Sequence, residues 1–296
     1  MVESIYNLRS ERIRMNKHIC SNIVIGMRKD EESYRRLSEA LESIVGFWDV
    51  ILLPLPRDLC RDLVLKTLER RSDGSILESL LERYPNQAFR RMWKPLLLKI
   101  LGIAEDPIMW RKDLVCYISD DHIRRTEERG FELAYLLFRA NTFGRVDERE
   151  WLRVFRRSEE NTLKDLVREY LTRGSTAIIT DSYIDFIEFL KPDEVEDYCR
   201  CALTDLIPTP LEVLELISLR SGEDVEADLL RDSVKWSIDY LNMVVTSIEL
   251  SEAYEWLLKN DRYRIFLERL GLHILHETCQ SRLDLRNYIA EDLLNR

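Results

Sequence analysis

The sequence is poor in the residues that interrupt helices. Only 9 glycines and 8 prolines occur among 296 residues, whereas leucine, glutamate and arginine recur throughout. Strong helix formers over long stretches favour helix almost everywhere. The composition therefore predicts an all-α protein, a multi-helix array that forms one elongated body.

The sequence also lacks an excess of basic residues. Acidic residues number 54 against 44 basic ones, which gives a formal net charge of −10. Such a chain has no uniformly basic surface of the kind that binds a phosphate backbone. The arginine pairs at 90–91, 124–125 and 156–157 are each flanked by acids, as on a solvated helix face. We therefore expect no nucleic-acid partner.

Long apolar runs are absent as well. The longest, VILLPLP at 50–56, is too short to cross a bilayer and contains two prolines. The opening MVESIYNLRSERIRM has no apolar core of signal-peptide length. These features predict a cytoplasmic protein that meets a membrane only through a complex.

Cysteine usage and charge bear on the environment of the protein. The six cysteines are expected to be reduced and buried, unless the organism is a hyperthermophile. Cys199 and Cys201 fall on opposite sides of a predicted helix, where we interpret them as small apolar core residues. Charged residues make up 33% of the chain, which leans towards a thermophile.

Apolar residues spaced by three and four predict a succession of helices. The predicted helices are 3–26, 31–47, 57–71, 76–84, 87–101, 120–142, 147–157, 161–173, 181–190, 193–206, 209–221, 225–246, 250–258 and 261–294, the last of which is expected to be broken. The segment TAIIT at 176–180 is interpreted as the lead-in to a helix, because no partner strand is apparent. Residues 1–296 are predicted to form one helical body, with candidate subdomains 1–118, 119–206 and 207–296.

Some helix ends can be predicted individually. Ser119 and the two aspartates after it suit a helix start, where unpaired N–H groups and the helix dipole favour them. Pro208 and Pro210 predict the start of the helix that contains LEVLELISLR, since proline is tolerated in a first turn.

Catalytic motifs are missing. The sequence contains no glycine-rich phosphate loop, nucleophile elbow or Cys-x-x-Cys pair. The run Asp120-Asp121-His122 resembles part of a catalytic triad, but it falls where helix caps are expected. We therefore predict no enzymatic activity and no cofactor.

One metal-binding alternative remains open. In HILHETC, His273 and His276 would share a helix face, and imidazole nitrogens suit zinc. Cys279 would lie about 120° further round the helix. A metal-binding enzyme that uses His273 and His276 is thus an alternative to buried or half-buried helix residues without metal.

A recurring phrase is the most distinctive feature of the chain. LLFRANTFGRVDE at 136–148 and LELISLRSGEDVEADLL at 214–230 share an apolar helix face, an arginine, a glycine and following acids. Arg139 and Arg220 would lie in a last turn that favours a cation, and Gly144 and Gly222 would turn the chain. This recurrence predicts an internal duplication.

Two family resemblances follow from such segments. The stretch LPRDLCRDLVLKTL at 55–68 resembles the first helix of an F-box, which implies an adaptor. The stretch ELAYLLFRANTFGRVDEREW at 132–151 resembles the Leu-Leu-Arg-Ala-x-x-x-Gly corner of the central-stalk C subunits of archaeal and bacterial A/V-type ATPases, which are similar to the d subunits of the eukaryotic enzymes.

Further segments extend the resemblance to the central-stalk C subunits. IYNLRSERIRM at 5–15, the whole of 177–224 and LSEAYEWLLKNDRYRIFL at 250–267 follow that family's order. Leu133 and Leu214 depart from it, because they lie near the place of an expected asparagine. The resemblance implies a non-catalytic helical coupling subunit that links the rotor stalk to the membrane ring of a rotary ATPase. The alternative is a helical adaptor or scaffold, archaeal- or virus-specific, that binds other proteins.

Overall fold

A parallel β-sheet lies at the centre of the protein. The computed structural model describes residues 22–68, 74–84, 86–104, 112–155, 170, 174–188, 198–220 and 226–278. Its strands are β1 (Asn22–Gly26), β2 (Val50–Pro56), β3 (Asp113–Ile118), β4 (Thr176–Thr180) and β5 (Tyr198–Ala202). The fold class is therefore α/β, and the prediction of an all-α array is wrong.

The five strands are ordered β3-β2-β4-β1-β5. Every neighbouring pair of strands is parallel. In the register of these pairs, Gly26 at the end of β1 lies opposite Thr180 of β4 on one side and Ala202 of β5 on the other. Parallel strands require crossover connections, which the helices supply.

Helices connect the strands and follow the last of them in the described chain. They are α1 (Glu31–Phe47), α2 (Arg57–Leu68), α3 (Gly74–Leu81), α4 (Gln87–Ala104), α5 (Asp120–Phe143), α6 (Glu148–Phe155), α7 (Tyr183–Glu188), α8 (Pro210–Arg220), α9 (Ala227–Thr246), α10 (Leu250–Leu258) and α11 (Asp261–Arg269). The bounds predicted for α1 and α10 are confirmed.

Three strands lie where the sequence predicted helix. β1 falls within the predicted helix 3–26, β5 falls within 193–206, and TAIIT is the central strand β4 rather than a helix lead-in. β1 and β4 are buried along both faces, because each side of the sheet is covered, whereas β5 at the edge carries the exposed Arg200. Ile23 and Ile25 contact one core, and Val24 contacts the other.

Helices cover both faces of the sheet. One core joins the sheet to α1–α4 and contains the fully buried Tyr34 and Trp93. The other joins it to α5–α11 and contains Trp151 and Tyr263. The chain runs from β1 through β2 to β3 in one direction across the sheet, and from β3 through β4 to β5 in the other. Because right-handed crossovers place the helices of these two directions on opposite faces, the architecture is doubly wound.

Several predicted helix ends are confirmed. The Ser119 side chain accepts a hydrogen bond from the backbone of His122 at 3.1 Å, and Gly144 caps α5 at a left-handed φ of 61°. α8 begins at Pro210. The predicted helix 261–294 is broken, as expected: α11 ends at Arg269, and Leu275 further on forms an antiparallel bridge with Leu206, whereas residues 279–294 lie outside the described residues.

The described cysteines are oxidised. Cys60 of α2 and Cys116 of β3 form a disulfide across a Cα–Cα distance of 6.1 Å. Cys199 and Cys201, on β5, are disulfide-bonded too. The expectation of reduced thiols is therefore wrong for these four residues, and Cys199 and Cys201 are strand residues rather than helix residues.

Two further predictions concern membrane-spanning segments and the division into subdomains. No helix in the described part of the chain combines the length and low charge that a bilayer span requires. The division into subdomains 1–118, 119–206 and 207–296 stays a prediction.

Candidate functional site

A doubly wound sheet forms a crevice at the carboxyl ends of neighbouring strands whose connections lead to opposite faces, and β1 and β4 are such a pair. These neighbouring strands continue into helices on opposite faces of the sheet, α1 after β1 and α7 after β4. In doubly wound sheets, ligands bind where neighbouring strands diverge in this way. The loop at 27–30, between β1 and α1, and the turn at 181–182 line this crevice.

A buried ion pair occupies the β1–α1 loop. The Nε atom of Arg28 lies 2.9 Å from Oδ2 of Asp30, and both side chains are almost fully enclosed. The other carboxylate oxygen of Asp30 accepts a hydrogen bond from the backbone of Ser33 at 2.7 Å and so caps α1. Asp30 thus serves both as the ion-pair partner of Arg28 and as the cap of α1.

The same loop holds α10 against the sheet. Nη1 of Arg28 lies 3.6 Å from the Glu255 carboxylate, and its guanidinium stacks 5.7 Å from the centre of the Tyr254 ring. Glu31 accepts a hydrogen bond from the backbone of Leu250, the first residue of α10, at 3.0 Å. α10 is therefore fastened to the β1–α1 loop and to the start of α1.

Polar contacts also join β1 to β4. The Tyr34 hydroxyl is 2.9 Å from Oδ2 of Asp181, and Nζ of Lys29 is 3.6 Å from the same oxygen. Burial, and then the Asp181 charge, raises the pKa of Tyr34 well above its ordinary value, so this phenol keeps its proton. Lys29 is the partly exposed member of this group.

The β1–α1 loop also has the position of a phosphate-binding loop. Gly26 and Ser33 stand at the spacing of the first glycine and the hydroxyl residue in the G-x-x-x-x-G-K-[ST] pattern, between a strand and a helix. Glu31 and Glu32 occupy the places of its second glycine and its lysine. Because helix N-termini attract anions, two glutamates and the Asp30 cap fill the site with the chain's own negative charge.

Thr204 completes the enclosure from the β5 side. Its hydroxyl accepts a hydrogen bond from the backbone of Arg28 at 3.2 Å and lies 3.2 Å from the Ser33 hydroxyl. Ser33 is therefore turned towards another side chain of the protein, where the corresponding hydroxyl of a phosphate-binding loop would coordinate magnesium.

The structure places the predicted corner residues apart from this crevice. Nη1 of Arg139 lies 2.5 Å from Oε2 of Glu150, and the Arg139 guanidinium stacks 5.6 Å from the centre of the Tyr135 ring. Gly144 is the cap of α5. Arg220 is the last residue of α8, and Gly222 lies outside the described residues. The two corners follow helices of different length, 24 residues in α5 and 11 in α8.

The predicted metal ligands do not share a helix face. His273 and His276 lie in the extended segment after α11, where the carbonyl oxygen of His273 accepts the Tyr183 hydroxyl at 2.9 Å. Nδ1 of His276 is 3.4 Å from Asp205, and Cys279 lies outside the described residues. Within those residues no group of three or more potential ligands is placed to hold a metal ion.

The triad-like run at 120–122 is a helix start, as expected. Asp120 and Asp121 occupy the first turn of α5. A hydrogen bond with Asp58, followed by burial, raises the pKa of Asp120, and the same contact lowers the pKa of Asp58. Asp120 therefore pairs with the carboxyl group of Asp58 in the first turn of α2.

A second surface feature lies on α5. Phe131, Tyr135, Phe138 and Phe143, together called the α5 aromatic face, have exposed fractions between 56 and 79%. Phe138 and Phe143 contact each other edge to face at 5.8 Å. The opposite side of the helix packs Leu133, Leu136 and Leu137 into the core, so α5 is apolar on two sides.

Sequence reasoning found neither the crevice nor the aromatic face as a site. Arg28, Asp181 and Glu255 come together only through the strand order, which no local pattern reveals. The aromatic face did have a signal, since Phe131, Tyr135 and Phe138 follow each other at helical spacing. Its exposure could be recognised only after the leucines on the opposite side of α5 had been assigned to the core.

Comparisons with known proteins supply no assignment. No protein-family model matches the chain, and neither a curated protein nor a solved structure shows significant similarity to it.

Proposed function

We propose that this chain is a protein-binding module, an adaptor or scaffold, whose binding surface is the α5 aromatic face. The observation that carries this proposal is the exposure of four aromatic rings on one helix whose other side is already buried. A helix that is apolar on two sides is normally covered on both. The described part of the chain covers only one.

The size of the α5 aromatic face supports the same assignment. An aromatic side chain presents roughly 150–250 Å², so four rings that are more than half exposed leave roughly 500 Å² of apolar surface. Patches of a few hundred Å² on soluble proteins commonly mark interaction sites. Aromatic residues are also enriched among those that carry binding energy at protein interfaces.

The crevice favours a binding role over catalysis. Arg28 is engaged by Asp30 and Glu255, and Asp181 is engaged by Tyr34 and Lys29. A substrate would have to displace these internal contacts, and a phosphate group would in addition meet the acidic first turn of α1. The polar groups of the crevice thus serve to join the sheet to α1 and α10.

The proposal takes up the adaptor hypothesis from the sequence. The resemblance to a rotary ATPase component implied a protein of helices alone, and the fold is α/β. The coupling role stays a prediction that no comparison tests. An adaptor role requires only an exposed surface that another protein recognises, on a rigid framework.

Site-specific photo-crosslinking tests the proposal. A photoreactive phenylalanine analogue would replace Phe131, Tyr135 or Phe138 in the full chain, expressed in the cells from which the sequence derives. We expect all three positions to yield covalent adducts with the same protein, which mass spectrometry would identify. The matched control is Ile265, an exposed apolar residue on α11.

Two outcomes would contradict the proposal. One is the absence of any protein adduct at the three α5 positions while the chain remains folded. The other is an identical set of adducts at Ile265, which would mean that the α5 aromatic face has no selectivity. Binding of ATP or GTP by the purified chain, measured by calorimetry, would favour a nucleotide-dependent role instead.

A further inference from the structure

The exposed side of α5 has the residue spacing of a coiled-coil seam. Steps of four and three residues lead from Arg124 through Glu128, Phe131, Tyr135 and Phe138 to Thr142, and all of these residues are exposed. Alternate spacing of this kind keeps a row of side chains on one helix face towards a partner helix. We call these six residues the α5 seam.

We propose that the α5 seam binds the α5 seam of a second copy of this chain, with the two helices antiparallel. This inference rests on the proposed function and names its partner. The two helices cross where Tyr135 of one copy faces Phe138 of the other, and each such contact occurs twice. Phe131 then faces Thr142 of the second copy. The aromatic rings pack together at the centre of the interface, where they exclude water.

Charges on either side of the aromatic residues favour the antiparallel orientation. Glu128 lies before the aromatic residues, where it also pairs with Arg124 of its own helix at 3.2 Å, and Arg145 follows them just beyond the Gly144 cap. In the antiparallel pair, Glu128 of each copy lies beside Arg145 of the other. Parallel helices would instead bring like charges together. The same patch thus complements itself around a two-fold axis, as closed dimers require.

Neighbouring apolar residues extend the surface. Asn141 of α5 donates a hydrogen bond to Asn242 of α9 at 2.7 Å, and Val245 and the nearby Ile248 are exposed. The three aromatic rings of the seam supply roughly 400 Å² per copy against about 800 Å² for a standard interface. We therefore expect a reversible dimer with a dissociation constant on the order of 10 μM.

Analytical ultracentrifugation of the full chain tests the inference. Between about 1 and 200 μM, the wild-type chain is expected to shift from monomer to dimer. Tyr135→Ser combined with Phe138→Ser should weaken the dimer by about tenfold or more, because central aromatic residues dominate such interfaces. Ile265→Ser, at an exposed site outside the seam, should leave the dissociation constant unchanged.

Charge reversal tests the orientation of the helices. Glu128→Arg alone and Arg145→Glu alone each place like charges together and should weaken the dimer, whereas the double reversal should restore it. Melting temperatures of all variants identify any loss of folding, which is not expected at exposed positions. Failure of the double reversal to restore binding would overturn the antiparallel arrangement.

The outcomes separate this inference from the proposed function. A chain that stays monomeric over the whole range, or a dimer that the seam substitutions leave intact, overturns the second-copy partner. In that case, photo-crosslinks from Phe131, Tyr135 and Phe138 to a different protein would leave the proposed function standing. Crosslinks between copies of this chain, lost in the seam variant, would support both.

Discussion

The hydroxyl of Tyr34 in α1 lies 2.9 Å from the carboxylate of Asp181, the residue that follows β4. The same hydroxyl lies 3.0 Å from the carbonyl oxygen of Pro54 in β2. The buried Tyr34 side chain thus joins α1, the helix that follows β1, to β2 and to the end of β4. Because neither side chain contacts solvent appreciably, the crevice is held together where a ligand would otherwise enter.

Removal of that hydroxyl should destabilise the protein. We expect Tyr34→Phe to lower the free energy of unfolding by about 1–3 kcal/mol, because a buried carboxylate loses its donor. Lys29, 3.6 Å from Asp181, compensates only in part. Urea denaturation measures the change, and Tyr135→Phe at an exposed site is the control, with an effect within about 0.5 kcal/mol. Equal effects of the two substitutions would contradict the prediction.

Two glycines should respond oppositely to alanine. A Cβ atom at Gly26 would lie 2.6 Å from Cδ2 of the buried Phe186 ring, whereas one at Gly46 in α1 would meet nothing within 4 Å. Gly26→Ala should therefore destabilise the fold by about 1–3 kcal/mol through overpacking. Gly46→Ala should stabilise it by about 0.5 kcal/mol, since alanine has a higher helix propensity than glycine and Gly46 lies in the last turn of α1.

Thermal unfolding of the two variants tests this pair. A Phe186→Leu background should reduce the cost of Gly26→Ala, because a smaller side chain leaves room for the added methyl group. If Gly26→Ala proved neutral in the wild-type background, the close approach of β1 to α7 would not constrain that position.

Sequence reasoning succeeded where a structural feature is determined by residues within about one turn of it. The start of α5 at Ser119 and its end at Gly144 follow from residues within one turn, and both were predicted. β1 and β4 were missed because a short apolar strand buried on both faces lacks the alternation that distinguishes strand from helix. With no strand assigned, TAIIT had no visible partner.

The candidate site depended on topology rather than on local pattern. Arg28 and Asp30 are close in sequence and could have been linked to a helix start, since Asp30 is a favourable cap. Their contacts with Glu255 and Thr204 arise because β1 lies between β4 and β5 and because α10 returns over the loop. Spacing along the chain carries no information about these long-range pairs.

The disulfide between Cys60 and Cys116 should contribute substantially to stability. It closes a loop of 56 residues, for which loop-closure entropy predicts about 4 kcal/mol. The double variant Cys60→Ser, Cys116→Ser should therefore unfold at markedly lower temperature than the oxidised wild type. Peptide mapping without reductant should recover the two cysteines in one linked fragment. Free thiols at both positions in protein purified without reductant would contradict the bond.

Glu212 provides a prediction about pH. Its two carboxylate oxygens accept hydrogen bonds from the backbones of Tyr183 and Thr209, both at 2.8 Å. Burial nevertheless raises the pKa of this carboxyl above its ordinary value of 4.5, and the backbone donors offset only part of the shift. Folding therefore favours the protonated form of Glu212.

The sign of the pH dependence follows from that raised pKa. A group whose pKa is higher in the folded state contributes its full stability below the unfolded pKa and loses it as pH rises through the folded pKa. The difference in unfolding free energy between the wild type and Glu212→Gln should thus be largest below pH 4.5 and should narrow as the pH rises. Denaturation at a series of pH values measures this difference in unfolding free energy. Glu268→Gln, at an exposed site, is the control for the removal of one surface charge. A difference that widened with pH would mean that the backbone donors outweigh the burial of the carboxylate.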